Sequence, residues 1–229
     1  MIPQAMPASY PCRRMAVFSE TTHLYPPKLL LGGRYSPRGD VVTFIRSELD
    51  TVVELAQQLW SKHHAILQHT IPSLEGAVSF LSTMSEPFNR ESFLACRSGW
   101  VAYLNNGRPG GDISAIGPAL LRELRVEGVA AENRSIDSSG HSSIQIWIMD
   151  GRVPALMVRS VELWTEDGAW GWQASGEPLE FEQLSRYEAR RKRDRFDRAL
   201  LCTYLAEFGI EVDDAAFYGA GLGLSRDLR

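Results

Sequence analysis

From residue 39 onward the apolar positions follow two spacings, and the switches between them outline the fold. Val41 to Ile45 is a short β-branched run and reads as a strand. Ser47 stands before a helix, with Asp50 completing a variant of the capping box. Val52, Ala56, Leu59, His63 and Ile66 follow at helical spacing, with Val53, Trp60 and Leu67 beside them. A second helix is predicted from Pro72, a favoured first helical position, with Leu74, Ala77, Val78, Leu81 and Met84 as its buried stripe. The short connection between these helices predicts an antiparallel pair.

The period then changes. Phe93 to Cys96 and Trp100 to Leu104 read as strands, Asn105 to Asp112 as a Gly-rich loop and Pro118 to Arg125 as a short helix. Ser143 to Met149 alternates, with Ile144, Ile146 and Ile148 on one face; Met157 to Trp164 alternates again, with Val161 and Leu163 together. Asp150-Gly151 and Asp167-Gly168 suit tight turns, so about 143–174 is expected to be a three-stranded antiparallel meander, loosened by Pro154. Helix returns at Leu184 to Arg193. It returns again where Phe196, Leu200, Tyr204 and Phe208 recur four apart, with Gly209 as the stop. Gly219 to Arg229 is expected to fray. The expected class is α+β: a mainly antiparallel sheet with helices packed on one face.

Composition adjusts this picture at three points. Six of the twelve prolines lie in residues 1–38, which predicts a Pro-rich N-terminal arm ahead of a single α+β domain over 39–229. The apolar run Ile144 to Met149 is far too short to span a bilayer, and Met1 to Pro11 lacks a basic segment followed by an apolar core; no membrane association and a cytoplasmic location are expected. Cys12, Cys96 and Cys202 are odd in number and remote from one another, which suggests neither a disulfide framework nor a zinc site.

Several groups of residues invite a chemical reading. His63, His64 and His69 lack the spacing that lets two imidazoles share a metal on one helical face, and His63 falls on the apolar stripe as a core histidine. The loop Asn105-Asn106-Gly107-Arg108-Pro109-Gly110-Gly111-Asp112 could hold an anion with Asn106, Arg108 and Asp112; its plainer reading is a turn that needs glycine. Trp147, Trp164, Trp170 and Trp172 could stack sugars or bases, or pack across strands against the helices. Arg186 to Arg198 holds seven basic residues against three acidic ones, and could sit on phosphates or form a solvated helix laced with i, i+4 pairs. With 24 basic and 28 acidic residues overall, nucleic acid is the less favoured partner.

The strand end Trp100-Val101-Ala102-Tyr103-Leu104-Asn105-Asn106-Gly107, the segment Trp170-Gly171-Trp172-Gln173-Ala174-Ser175-Gly176-Glu177 and the stretch Tyr187-Glu188-Ala189-Arg190-Arg191-Lys192-Arg193-Asp194-Arg195-Phe196 occur in that order. Together they resemble a family of bacterial proteins of unassigned function, over about residues 95–218. Gly110-Gly111-Asp112 departs from the family's usual G-T-D. The resemblance implies no catalytic residue and no cofactor. The leading expectation is therefore a non-enzymatic binding protein, an immunity protein that neutralises a toxin by direct contact. An acidic surface would complement a basic toxin. The candidate contacts are Glu162, Glu166, Asp167, Trp170, Trp172, Glu177, Glu180 and Glu182, with Glu207, Glu211, Asp213 and Asp214 as further acidic positions. The alternatives are an enzyme or small-ligand binder near loop 105–112, His141 and the tryptophans, and a nucleic-acid-associated protein; homodimerisation is left open.

Overall fold

The structure, a computed structural model, describes residues 29–83, 88–107, 116–134, 140–166 and 168–227. These form one antiparallel sheet of strands β1 (Val41–Ile45), β2 (Ile66–Ile71), β3 (Arg90–Cys96), β4 (Trp100–Asn105), β5 (Glu127–Arg134), β6 (Ser142–Asp150), β7 (Met157–Glu166), β8 (Ala169–Ser175) and β9 (Tyr218–Arg226). The spatial order is β2-β9-β3-β4-β1-β5-β6-β7-β8. The helices are α1 (Leu49–Ser61), α2 (Leu74–Phe80), α3 (Gly117–Leu124), α4 (Leu184–Tyr187) and α5 (Arg198–Glu207). No helix among the described residues is long and apolar enough to cross a membrane.

Strand alternation sends neighbouring residues to opposite faces, and both faces are apolar where helices lie on them. Val42, Phe44, Leu94, Ile144, Ile146, Val161 and Leu163 join α2 and α5 in one core. Val41, Ile45, Phe93, Val101 and Ala130 join α1 and α3 in a second. The antiparallel α+β class is as expected; the helices are shared between the two faces rather than gathered on one. Leu29 and Leu30, from the Pro-rich segment, are buried in the first core. Residues 1–28 lie outside the described residues.

The meander over 143–174 is β6-β7-β8, and Ile144 and Ile146 are buried as their alternation predicts. Gly168 supplies the positive φ of the β7–β8 turn, at +76°. Gly151 serves differently: a Cβ there would collide with the backbone carbonyl of Leu121, where α3 ends against the β6 hairpin.

Several expectations are corrected. Helix α1 stops at Ser61, and the amides of His63 and His64 both turn back to the Trp60 carbonyl. Ile66 and Leu67 continue the helical spacing but belong to β2, and His63 is exposed. A strand therefore separates α1 from α2, and the two helices pack on opposite faces. Helix α2 begins after Ser73, whose Oγ accepts from the Gly76 amide at 3.2 Å; Pro72 precedes this cap. Strand β5 was not predicted at all.

The helix expected over 184–193 contracts to α4. Beyond it the chain is irregular: Arg195 Nε donates to the Ala189 carbonyl, and Arg186 pairs with Asp197 instead of a residue one turn away. Asp197 caps α5 through the Leu200 amide, and Gly209 ends it with a φ of +72°. The C-terminal segment is ordered as a strand through Arg226 instead of fraying, and residues 228 and 229 lie outside the described residues. This strand is β9, paired along both edges between β2 and β3.

Candidate functional site

The register of the meander sorts the candidate contacts. Glu132, Gln145, Glu162 and Gln173 stand opposite one another across β5, β6, β7 and β8. On either side of that row, and on the same face, run Arg134-Ser143-Trp164-Gly171 and Ala130-Trp147-Ser160-Ser175. This is the face that carries α1 and α3. Helix α3 packs over β1 and the β6 hairpin, and the main packing of α1 and α3 on this side falls on β1, β2, β3, β6 and β9 rather than on β7 or β8. Trp147 packs against the edge of the second core, whereas Trp164 belongs to neither core.

Gly171 explains how Trp164 lies. A Cβ built on Gly171 would fall on the indole, nearest to Cε2 and almost equally far from Cζ2 and Nε1. Those near-equal distances require the ring to lie flat over the glycine, with one face to the sheet and the other outward. Glu162 and Glu166 stand two residues to either side of Trp164, so the strand rise places each about 7 Å along from it on the same face. Glu166 is exposed and Glu162 half-buried, and no ion pair neutralises either among the described residues. Glu132 is different: it is buried, accepts from Ser143 Oγ and lies 3.4 Å from Arg134.

The remaining candidates do not join this face. Trp170 and Trp172 point to the first core, and the Trp172 ring packs on Tyr187 and Phe196 at 5.0 and 6.4 Å between centroids. Glu177 and Glu180 are exposed after β8. Glu207 is exposed, Glu211 and Asp214 are paired with Arg97, and Asp213 is paired with Arg198. Asp167, Arg108 and Asp112 lie outside the described residues.

Glu182 is not a surface carboxylate. Arg159 grips it with two hydrogen bonds, Nε to Oε1 at 2.8 Å and Nη2 to Oε2 at 2.6 Å, and the Leu179 amide and the Tyr187 hydroxyl also donate to it. Burial alone would raise its carboxyl, but these donors hold it below the ordinary range. The cluster pins the chain after β8 to β7. Arg159 also donates to the Gly176 carbonyl, and with its own proton on Glu182 the Tyr187 oxygen accepts from the Tyr204 hydroxyl at 2.9 Å.

Asn106 likewise serves the fold. Its Oδ1 accepts from the amides of Asn89 and Arg90, each at 2.9 Å, and its Nδ2 donates to the Thr83 carbonyl and to Asn89 Oδ1. With donors and acceptor so engaged, its side chain clips β3 to the end of β4 and does not present itself to an anion. Beside His141, Ser142 is tied to Thr165 by its amide and hydroxyl.

One polar cluster was not anticipated. Glu91 is fully buried on β3, and the Tyr103 hydroxyl donates to its Oε1 at 2.9 Å. Its Oε2 has no hydrogen-bond partner of good geometry, nor does the Trp60 indole N–H, although Trp60 is close enough to favour the anion. Arg226, at the end of β9, stacks on Trp60 at 3.7 Å and on Phe88 at 4.7 Å. Burial drives the Glu91 carboxyl up to about 7, against the pull of Arg226 and the Tyr103 hydrogen bond. Trp60 in turn lines a cleft of about 340 Å3 with Leu59, Phe88, Ile116 and Ala119, and Glu91 is not part of its wall. The one hint in the sequence is a carboxylate alternating with Phe93; its partners come from segments remote in the chain.

No protein-family model matches this chain, and neither does any curated protein or solved structure. Of the motif residues behind the family resemblance, Trp100 and Phe196 are core side chains, and Tyr187 belongs to the Arg159–Glu182 cluster.

Proposed function

We propose that this chain is a binding protein that works by direct protein–protein contact, of the immunity type that neutralises a toxin, and that it engages its partner through the outer face of β6-β8. One observation carries the reading: Trp164 lies flat and partly exposed on the sheet face, apart from both apolar cores and between two carboxylates that no ion pair neutralises among the described residues. Tryptophan is enriched at the energetic centres of protein interfaces because it buries a large area at little conformational cost. The toxin as partner rests on the acidic balance of the chain, which complements a basic protein.

The test is co-expression with each toxin encoded beside its gene. Growth rescued by the natural chain and lost in a Trp164→Ala variant supports the reading. Survival unchanged with every such toxin refutes it.

A second reading is favoured by the Glu91 cluster. A carboxyl driven up to about 7 next to a tryptophan that lines an apolar cleft is the kind of group that small-ligand sites hold. A thermal-shift screen decides it, since a ligand at about 100 times its dissociation constant adds about 2.7 kcal/mol. A flat response across nucleotides, sugars and metabolite amines removes this reading.

A further inference from the structure

We infer that the segment received by the β6-β8 face is positively charged: an arginine or lysine of the partner lies on the outward face of Trp164, its charge between Glu162 and Glu166. This rests on the protein-binding reading above and names the chemistry of its partner.

Three features lead there. The first is charge. Glu162 and Glu166 flank Trp164 and have no counter-charge among the described residues, whereas Arg134, the basic residue in the same row as Trp164, is already held 3.4 Å from Glu132. The face therefore presents uncompensated negative charge, which repels phosphates and attracts cations. The second is the ring. An indole face carries the negative side of the aromatic quadrupole and is the best of the aromatic platforms for a cation. Gly171 keeps that face turned outward, because any side chain at 171 would displace the indole. The third is the surrounding polarity. Gln145 and Gln173 complete the row of Glu162 and offer carbonyl acceptors to the several N–H donors of a guanidinium. This protein itself uses such stacking to hold arginines, the buried Arg226 on Trp60 and the exposed Arg46 on Trp100 at 4.4 Å.

The probe is a short synthetic peptide of alternating arginine and glycine, measured by tryptophan fluorescence and calorimetry at low and moderate salt. Its comparators are the glutamate–glycine peptide, a neutral glucose oligosaccharide and a single-stranded oligonucleotide. The expected result is binding of the basic peptide alone, weakening as salt rises. Glu162→Gln/Glu166→Gln and Trp164→Ala each weaken it about five-fold or more. The control Glu54→Gln/Glu207→Gln removes the same charge from exposed positions elsewhere and leaves binding unchanged. Should Trp164→Ala fail to fold, the carboxylate pair still decides, because it alters only surface groups.

Binding of the oligosaccharide or oligonucleotide in place of the peptide overturns the inference. So does a basic peptide that binds the carboxylate variant and the control equally. The two readings fail separately. A toxin neutralised through this face by an acidic or apolar segment, located by cross-linking, refutes the cation and leaves the binding function standing. A peptide that binds here while no toxin is neutralised refutes the immunity function alone.

Discussion

Replacing Glu91 with Gln tests the strongest electrostatic statement the structure makes. The side chain is fully buried and its carboxyl is raised from an ordinary 4.5 to about 7, chiefly by burial. A raised carboxyl means the folded state holds the proton more tightly than the unfolded chain. The stability this confers is complete below about pH 4.5 and is lost as pH climbs to about 7, where the buried group must ionise. Linkage puts the cost at about 1 kcal/mol near pH 5 and about 3 kcal/mol near pH 8.5. Glutamine keeps an acceptor for Tyr103 and cannot ionise, so it escapes this cost. The attraction of Arg226 acts only on the ionised carboxylate and is already contained in the value of about 7, so it adds no separate pH dependence. The stability of the variant relative to the natural chain should therefore grow by about 2–3 kcal/mol between those pH values. For a chain of this length that is about 5–10 °C in relative Tm. Paired thermal unfolding of both proteins, at fixed ionic strength and at steps across the range, gives the difference directly, and other titrating groups cancel. A difference that stays flat within about 0.5 kcal/mol, or that grows toward low pH, refutes the reasoning.

Three further outcomes are expected. Glu182→Ala leaves the buried Arg159 guanidinium without its carboxylate and should cost about 3–5 kcal/mol in urea unfolding, whereas Arg159→Leu/Glu182→Leu should cost much less than the two single changes summed. Deleting residues 219–229 removes β9 from between β2 and β3, and the truncated chain should lose its cooperative thermal transition; an unchanged Tm would mean that this strand is dispensable. Asn106→Leu orphans the amides of Asn89 and Arg90 and the Thr83 carbonyl, and should cost about 2–4 kcal/mol in denaturant unfolding, with a loss under about 1 kcal/mol counting against its role as a clip.

The elements legible in the sequence are those whose burial is written as a period. Ile144 and Ile146 alternate because one face of β6 is buried, and α5 repeats every fourth residue because one stripe is. The elements that were missed bury backbone rather than large side chains. Strand β5 runs through Gly128, Ala130 and Ala131 between two partners, and its small residues let Leu121 of α3 sit close. Strand β9 has Gly221 against the Phe93 carbonyl and Gly223 beneath the Phe80 ring. In both, glycine marks close approach of neighbours and reads as looseness when the neighbours are unseen. The opposite error occurs at Ile66 and Leu67, where apolar residues extend a helical spacing although the chain has already turned at His63.

The same physics decides what could be seen of the binding face. Composition gathers Trp147, Trp164, Trp170 and Trp172 into one stretch and makes them look like one group. Strand parity divides them: odd positions of β6 and even positions of β7 share a face, while Trp170 and Trp172 occupy the even positions of β8 and turn to the core. That division needs only the register of the meander. Which face stays uncovered needs more, because α3 reaches the β6 hairpin from a distant part of the chain and stops there, against Gly128 and Gly151. Carboxylates of one acidic stretch thus have opposite fates. Glu162 borders the partly exposed Trp164 on one face of β7, and Glu182 is sealed under Arg159, which the alternation of the same strand sends to the other face.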